Sequence, residues 1–333
     1  MLVPPELARN VRAYWPDTGE QWLADLPGLI DEVTGAWDLT ITRPHRMTIH
    51  WVAAVTRRDG AHGVLKLGVP DRHLDPEAEA LRIFDGDGAV RLLAEDAQRG
   101  AILLESVFPG TPLAEHADDE EATRVLIETA QRLHRAPPAG CTLPHLRTLA
   151  KGFRKYPAGG LVPQPMVDRA AELFDALCES ASQATGASQP TGASQPTSPS
   201  QPTSPSQGTS PSQPTSRQPA GWNAAVNAPA DVVLHGDLHH GNVLRGPDDT
   251  WVAIDPHGFV GDPGYDGGAL LYNPDNRDAT LLVPRRIEQL SDHGDRDRVI
   301  AWGYVMGVLS QIWSGDRPTR ALDVARSLEP RLP

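Results

Sequence analysis

A chain of 333 residues is long enough for one large two-lobed domain or two small ones, and 39% apolar residues suffice for a core. Acidic residues outnumber basic ones 43 to 30, for a formal charge of −13. That balance argues against nucleic acid or an anionic membrane as partner, and it suits a cationic substrate as well as it suits plain solubility. Two cysteines, Cys141 and Cys178, make no disulfide framework and point to a reducing compartment. The opening residues, Met1-Leu2-Val3-Pro4-Pro5-Glu6, lack the basic and apolar regions of a signal peptide. The apolar run 299–313 is short for a bilayer span and reads as a buried helix, so a cytoplasmic location is expected.

In chain order, residues 1–40 read as helical, with Leu26, Leu29, Ile30 and Val33 on one face. Residues 48–55 and 63–67 read as strands flanking Arg58-Asp59-Gly60, where Asp-Gly supplies the backbone of a tight hairpin. Lys66 interrupts the second apolar strand. It either faces water on an edge strand or contacts the phosphates of ATP while a helical glutamate orients it. Residues 76–84 supply that helix, and either Glu77 or Glu79 could face Lys66. Glu79 is preferred because it lies deeper in the helix, nearer Leu81 and Ile83, and Glu77 suits the first-turn dipole. Residues 90–94 and 101–105 read as two further antiparallel strands, and Glu105-Ser106-Val107-Phe108-Pro109-Gly110 ends the sheet in a plausible hinge.

Helical spacing recurs over 120–135 and about 167–179. Residues 180–219 then repeat variants of Ser-Gln-Pro-Thr-Ser-Pro, with no large apolar side chain between Cys178 and Trp222. Such a tract buries too little surface to offset its ordering entropy and is expected to be disordered or extended, a surface insertion inside one domain.

The densest chemistry lies in His235-Gly236-Asp237-Leu238-His239-His240-Gly241-Asn242-Val243-Leu244, followed by Ala253-Ile254-Asp255-Pro256. Phosphoryl transfer needs a carboxylate to orient the attacking hydroxyl and oxygen ligands for Mg²⁺. An Asp, an Asn five positions on and a second downstream Asp supply them in that order. Asp237 is therefore the candidate base, with Asn242 and Asp255 the candidate metal ligands. A turn at Gly246-Pro247-Asp248-Asp249 makes the flanking segments a hairpin that brings those ligands together. Asp266 either caps a following helix or braces the loop; helices are expected over 281–290 and 299–313. The His/Asp density also suits a metal-dependent hydrolase, for which only the isolated His257 and His293 remain as further ligands. A non-catalytic nucleotide-binding module is the other alternative.

Taken together, Val64-Leu65-Lys66-Leu67, Glu79-Ala80-Leu81-Arg82, Leu103-Leu104-Glu105 with Pro109-Gly110, Leu133-His134-Arg135-Ala136-Pro137, residues 235–244 and residues 253–266 carry a resemblance. They resemble the aminoglycoside phosphotransferase branch of the kinase-like fold, closest to the streptomycin 6-kinase and hydroxyurea-resistance kinase family. The resemblance implies an α+β, two-lobed protein-kinase-like fold, with an antiparallel sheet and helix in the N-lobe (1–108). The C-lobe (109–333) would be mainly helical and interrupted by the insertion at 180–220. It implies ATP and Mg²⁺ as cofactors and a small-molecule hydroxyl as acceptor. Asp237 would be the base, Asn242 and Asp255 the magnesium ligands, Lys66 the phosphate contact paired with Glu79, and His235 the support of the loop. Backbone groups at Glu105 and Val107 would meet adenine. A guanidinium-bearing aminocyclitol would seek acidic side chains, with Asp262, Asp266, Asp275, Asp278 and Glu115 as candidates; hydroxyurea or another metabolite is the alternative acceptor. In one place the chain departs from protein kinases: residues 43–50 contain no glycine, so Arg43, His45, Arg46, Thr48 or backbone amides must cover the phosphates.

Overall fold

The computed structural model describes residues 3–71, 73–187, 228–274 and 277–333. Two helices, α1 (Pro5–Tyr14) and α2 (Gly19–Ala36), precede five strands: β1 (Leu39–Pro44), β2 (Trp51–Arg57), β3 (His62–Leu67), β4 (Leu92–Asp96) and β5 (Ala101–Glu105). Helix α3 (Asp75–Phe84) lies between β3 and β4. The sheet is antiparallel throughout with order β1-β2-β3-β5-β4, which puts β3 at its centre.

Strand alternation then sorts the side chains. Leu65 and Leu67 join Trp51, Val55 and Leu103 in a core with Leu7, Val11, Leu26, Ile30 and Val33 from α1 and α2. Lys66, in register with Val52 and Ile102, falls on the opposite face. A central strand has no solvent edge, and Lys66 is only 6% exposed. The water-facing reading of this lysine therefore fails.

The second half is built from α4 (Asp119–Leu133), α5 (Lys151–Lys155), α6 (Gln164–Ala187), α7 (Gly264–Gly268), α8 (Ala279–Ser291), α9 (Arg296–Trp313) and α10 (Arg320–Leu328). Helix α9 is apolar nearly all round and is buried accordingly, with Trp302, Tyr304, Val305, Val308 and Leu309 in the main core. Two small antiparallel pairs sit among these helices. One joins β6 (Val232–Leu234) to β9 (Phe259–Gly261), and the other is the hairpin of β7 (Val243–Arg245) and β8 (Trp251–Ala253).

The helix expected to stop near residue 179 continues to Ala187, and Ser180 is buried with its Oγ donating to the Leu177 carbonyl at 2.8 Å. Small and polar residues offer no periodic signal there, so helical propagation and packing decide the boundary. The rest of the expected disordered tract, from residue 188, lies outside the described residues. No helix among the described residues is long and apolar enough to cross a membrane.

Candidate active site

Strand β6 is a short apolar run that delivers His235 into the interior. Gly236 follows with φ 84°, a left-handed backbone that an L side chain adopts only under strain, and a Cβ there would stand 2.7 Å from the Phe259 ring. The turn is held from across the fold. The Asp266 carboxylate accepts the backbone N–H of His235 at 3.0 Å and of Gly236 at 2.8 Å, and its Oδ2 lies 3.0 Å from His134 Nε2. Burial alone would push this carboxyl up, but the His134 contact, the His235 ring and the Gly236 N–H more than offset it and keep it ionised.

His235 links the two halves of the site. Its Nε2 donates to the Ile254 carbonyl at 2.9 Å, so Nδ1 is the acceptor of the Asp237 N–H at 3.2 Å. Burial holds the imidazole's pKa down, consistent with that neutral tautomer. The His235 carbonyl in turn accepts from His257 N–H and Gly258 N–H at 2.8 and 3.1 Å. The segment after Asp255 is thereby tied to the segment before Asp237.

Asp237 is 37% exposed, and the Asn242 amide nitrogen donates to its Oδ2 at 3.1 Å and to its carbonyl at 3.0 Å. His239 Nε2 and His257 Nε2 stand 3.6 and 3.9 Å from the same oxygen. Desolvation would raise this carboxyl, but His239 and His257 outweigh it and hold it below its usual value, as an ionised acceptor. The hairpin pairs Val243 with Ala253, and Ile254 N–H donates to the Asn242 carbonyl at 2.9 Å, so Asn242 and the strand end leading to Asp255 are adjacent. Asp255 has φ 61°, a left-handed conformation that Asp tolerates better than most residues. Its side chain is 53% exposed and bonds Lys66 Nζ, whose charge holds the carboxyl well down.

Lys66 Nζ also bonds Glu77 Oε2 at 2.6 Å. Burial disfavours the ammonium, but the two carboxylates more than offset it and keep it charged. Burial pushes Glu77 up to about 7, against the pull of Lys66.

The partner is Glu77, and the preference for Glu79 is corrected. Residues two apart on a helix point about 200° apart. Glu77 shares its face with the buried Ala80, Leu81 and Phe84. Glu79 turns away, accepting the Thr142 N–H at 2.6 Å and the Thr142 hydroxyl. The stripe 77, 80, 81, 84 was present in the sequence and is the signal that depth in the helix obscured.

A cleft of about 640 Å³ separates the sheet from the helical half, within the range of small-molecule sites. Lys66, Glu77 and Asp255 line one part; Val64, Leu104 and the segment Glu105-Ser106-Val107 line another. The Glu105 N–H is already engaged by the Arg91 carbonyl at 2.9 Å. Arg43, His45, Arg46, Thr48 and His50 also line it, as do Gly241 and Ile254 next to Asn242 and Asp255.

Two substrate candidates are not available to a ligand. Asp262 is 1% exposed, bonds Arg298 and accepts the Gly264 N–H at 2.7 Å. Asp266 is committed to the loop as above, which corrects its substrate assignment and fits its bracing alternative. Glu115 and Asp278 are exposed, and Asp275 lies outside the described residues. Among the described residues, no three His, Cys, Asp or Glu side chains converge as a metal cluster, so the dense histidines do not assemble the site that the hydrolase alternative needs.

Asp266→Ala is expected to leave two buried N–H groups without an acceptor, at about 1–3 kcal/mol each. A lowered urea midpoint together with reduced kcat is the expected result. An unchanged midpoint would show that the loop does not depend on this carboxylate.

The family model for aminoglycoside/hydroxyurea antibiotic resistance kinases matches residues 42–187 and 225–317. The chain is 30% identical over 319 residues to streptomycin 6-kinase of Streptomyces griseus, covering 93% of this chain and 89% of that protein. It is 32% identical over 271 residues to hydroxyurea phosphotransferase of Kitasatospora aureofaciens, covering 79% of this chain and 66% of that one. The crystal structure of choline kinase LicA from Streptococcus pneumoniae superposes with a TM-score of 0.55 at 12% identity, over 92% of this chain and 98% of that chain, a likeness of fold alone. With a two-lobed kinase-like fold and this similarity along nearly its whole length, the chain is a phosphotransferase and belongs to the aminoglycoside/hydroxyurea antibiotic resistance kinase family.

Proposed function

We propose that this enzyme transfers the γ-phosphoryl group of ATP to a hydroxyl of a streptomycin-like aminoglycoside and so confers resistance to it. The observation that carries this reading is the Lys66–Glu77–Asp255 group lining one cleft, with Asn242, bonded to Asp237, tied to the strand end that leads to Asp255. The choice of acceptor rests on the similarity to streptomycin 6-kinase. Residues 1–108 act as the nucleotide lobe and 109–333 as the catalytic and substrate lobe, and the protein works in the cytoplasm.

In this reading the ionised Asp237 accepts the proton of the acceptor hydroxyl and aims its oxygen at the nucleotide. Asn242 holds that carboxylate in place. Lys66, fixed between Glu77 and Asp255, neutralises charge on the phosphates. The adenine lies against Val64 and Leu104, beside the backbone of Glu105 and Val107.

The donors present fit a hard cation. Asn242 turns its amide nitrogen to Asp237, which leaves its Oδ1 for a ligand, and Asp255 adds an exposed anionic carboxylate. Asn242 and Asp255 would hold Mg²⁺, which supplies charge neutralisation on the phosphates when bound. The acceptor is cationic, in keeping with the chain's net charge of −13 and the exposed Glu115 and Asp278.

Purified protein with radiolabelled ATP and a panel of streptomycin, other aminoglycosides, hydroxyurea and simple alcohols tests the reading. Label on streptomycin is expected. Label on hydroxyurea alone would move the function to the other activity named among the relatives.

A further inference from the structure

Lys66 is held by Glu77, and Glu77 sits in the first turn of α3. The first N–H groups of a helix have no partner within it, and a capping side chain usually fixes the start. Leu74 stands at the capping position of α3, and no side chain caps there. Nor is the Glu77 carboxylate held elsewhere: its Oε1 is buried with no hydrogen-bond partner among the described residues. The place of Glu77 is therefore set by the backbone that delivers it, the connection 68–74 between β3 and α3.

Two contacts fix that backbone. One comes from the helical half, where a Cβ on Gly258 would stand 2.4 Å from the Pro76 carbonyl oxygen. The other comes from α1. Trp15, the residue that ends α1, is buried, and its indole N–H donates to Oδ2 of Asp71. Asp71 Oδ1 accepts the His73 N–H at 3.1 Å, and the Asp71 N–H donates to the Val69 carbonyl at 2.8 Å. One carboxylate so joins α1 to both ends of the connection.

Ring packing supports the same junction. The His73 ring lies 5.3 Å from Tyr14, 5.4 Å from Trp15 and nearly perpendicular to it, and 5.5 Å from His50. Trp15 is itself fixed at the corner between α1 and α2. Its N–H donates to the Val11 carbonyl and its carbonyl accepts the Gly19 N–H, both at 2.8 Å. Asp71, by contrast, is exposed, so its bonds determine where the connection lies more than they add to the core.

We infer that Trp15 is a positioning residue for phosphoryl transfer. Through Asp71 it fixes the start of α3, and so holds Glu77 where that carboxylate orients Lys66 toward the nucleotide. The inference rests on the reading of this cleft as the nucleotide site, and it names what sets the Lys66–Glu77 pair from outside it.

Isothermal titration of the full chain with ATP and Mg²⁺, and separately with adenosine, tests it. Trp15→Phe keeps a ring in the core and removes the indole donor, and Asp71→Ala removes its acceptor at the surface. Each is expected to weaken ATP about threefold to tenfold, the scale of one hydrogen bond, and to leave adenosine unchanged. Asp71→Asn, which keeps an oxygen for the indole, should recover part of the loss. In a Glu77→Ala background, Trp15→Phe should weaken ATP no further, because the group it positions is gone. Lys66, Lys151 and Lys155 are the only lysines of the chain, so ¹⁵N-lysine labelling isolates the Lys66 ammonium. Its signal should move in ligand-free Asp71→Ala. Wild-type affinity for ATP in folded Trp15→Phe and Asp71→Ala, an unmoved lysine signal, or an undiminished loss in the Glu77→Ala background overturns the inference while the nucleotide site stands. Unchanged affinity for ATP in folded Glu77→Ala overturns the reading of the site as well.

Discussion

Asp237→Asn is expected to lower kcat by about 10²–10⁴-fold, the usual contribution of a positioned general base, while the affinity for ATP changes little. The variant keeps the shape of the side chain and loses only the charge and basicity. Asp237 lies off the Lys66–Glu77–Asp255 group proposed to meet the phosphates, so nucleotide binding has no direct stake in it. His239 and His257 hold the native carboxylate ionised without occupying it at hydrogen-bond distance, which leaves it open to an incoming hydroxyl. Rapid-quench measurement of single-turnover transfer, beside an ATP titration, separates the chemical step from binding. Turnover near that of the wild type in folded Asp237→Asn would remove Asp237 from the role of base.

The second large effect distinguishes two glutamates that sit two positions apart. Glu77→Ala removes one of the two carboxylates that keep Lys66 charged in a buried position. Breaking such a buried pair costs about 3–5 kcal/mol, and the lower end applies here because Asp255 remains. Lys66 would then be drawn wholly to Asp255, and the KM for ATP should rise at least tenfold. Glu79→Ala loses only its contacts with Thr142, worth about 1–2 kcal/mol, and should keep its activity. Urea melts and steady-state kinetics on both variants read this directly. Full activity in Glu77→Ala with none in Glu79→Ala would reverse the assignment.

Much of the site was legible because its chemistry is local in the chain. Asp237, Asn242 and Asp255 fall within one loop and one hairpin, and a turn such as Gly246-Pro247 dictates that pairing through short-range backbone preference. The central helix α9 was equally plain, since a segment apolar on every side has to be buried. Lys66 stood out as a charge within an apolar strand, and that pattern is the same on an edge strand and a central one. Only the placement of β3 between β2 and β5 separates them.

The remaining roles depend on partners far away in sequence. Asp262 and Asp266 are acidic residues in a polar turn, and composition makes them look like surface groups open to a cationic ligand. Packing of α9 encloses the first with Arg298, while the second bonds His134, 132 positions away, and accepts the His235 and Gly236 N–H groups of the loop. The buried Nε2 of His50 belongs to the same class, because Gly68 and Trp15 pack around its ring from other elements.

What the sequence by itself determined is therefore the order of the candidate reacting groups along the chain and the fold class that such an order demands. Only the tertiary structure decided which glutamate meets Lys66, which aspartates are enclosed, and which histidines line the cleft. Spacing encodes local geometry, whereas burial and pairing are set by elements that approach from elsewhere in the chain.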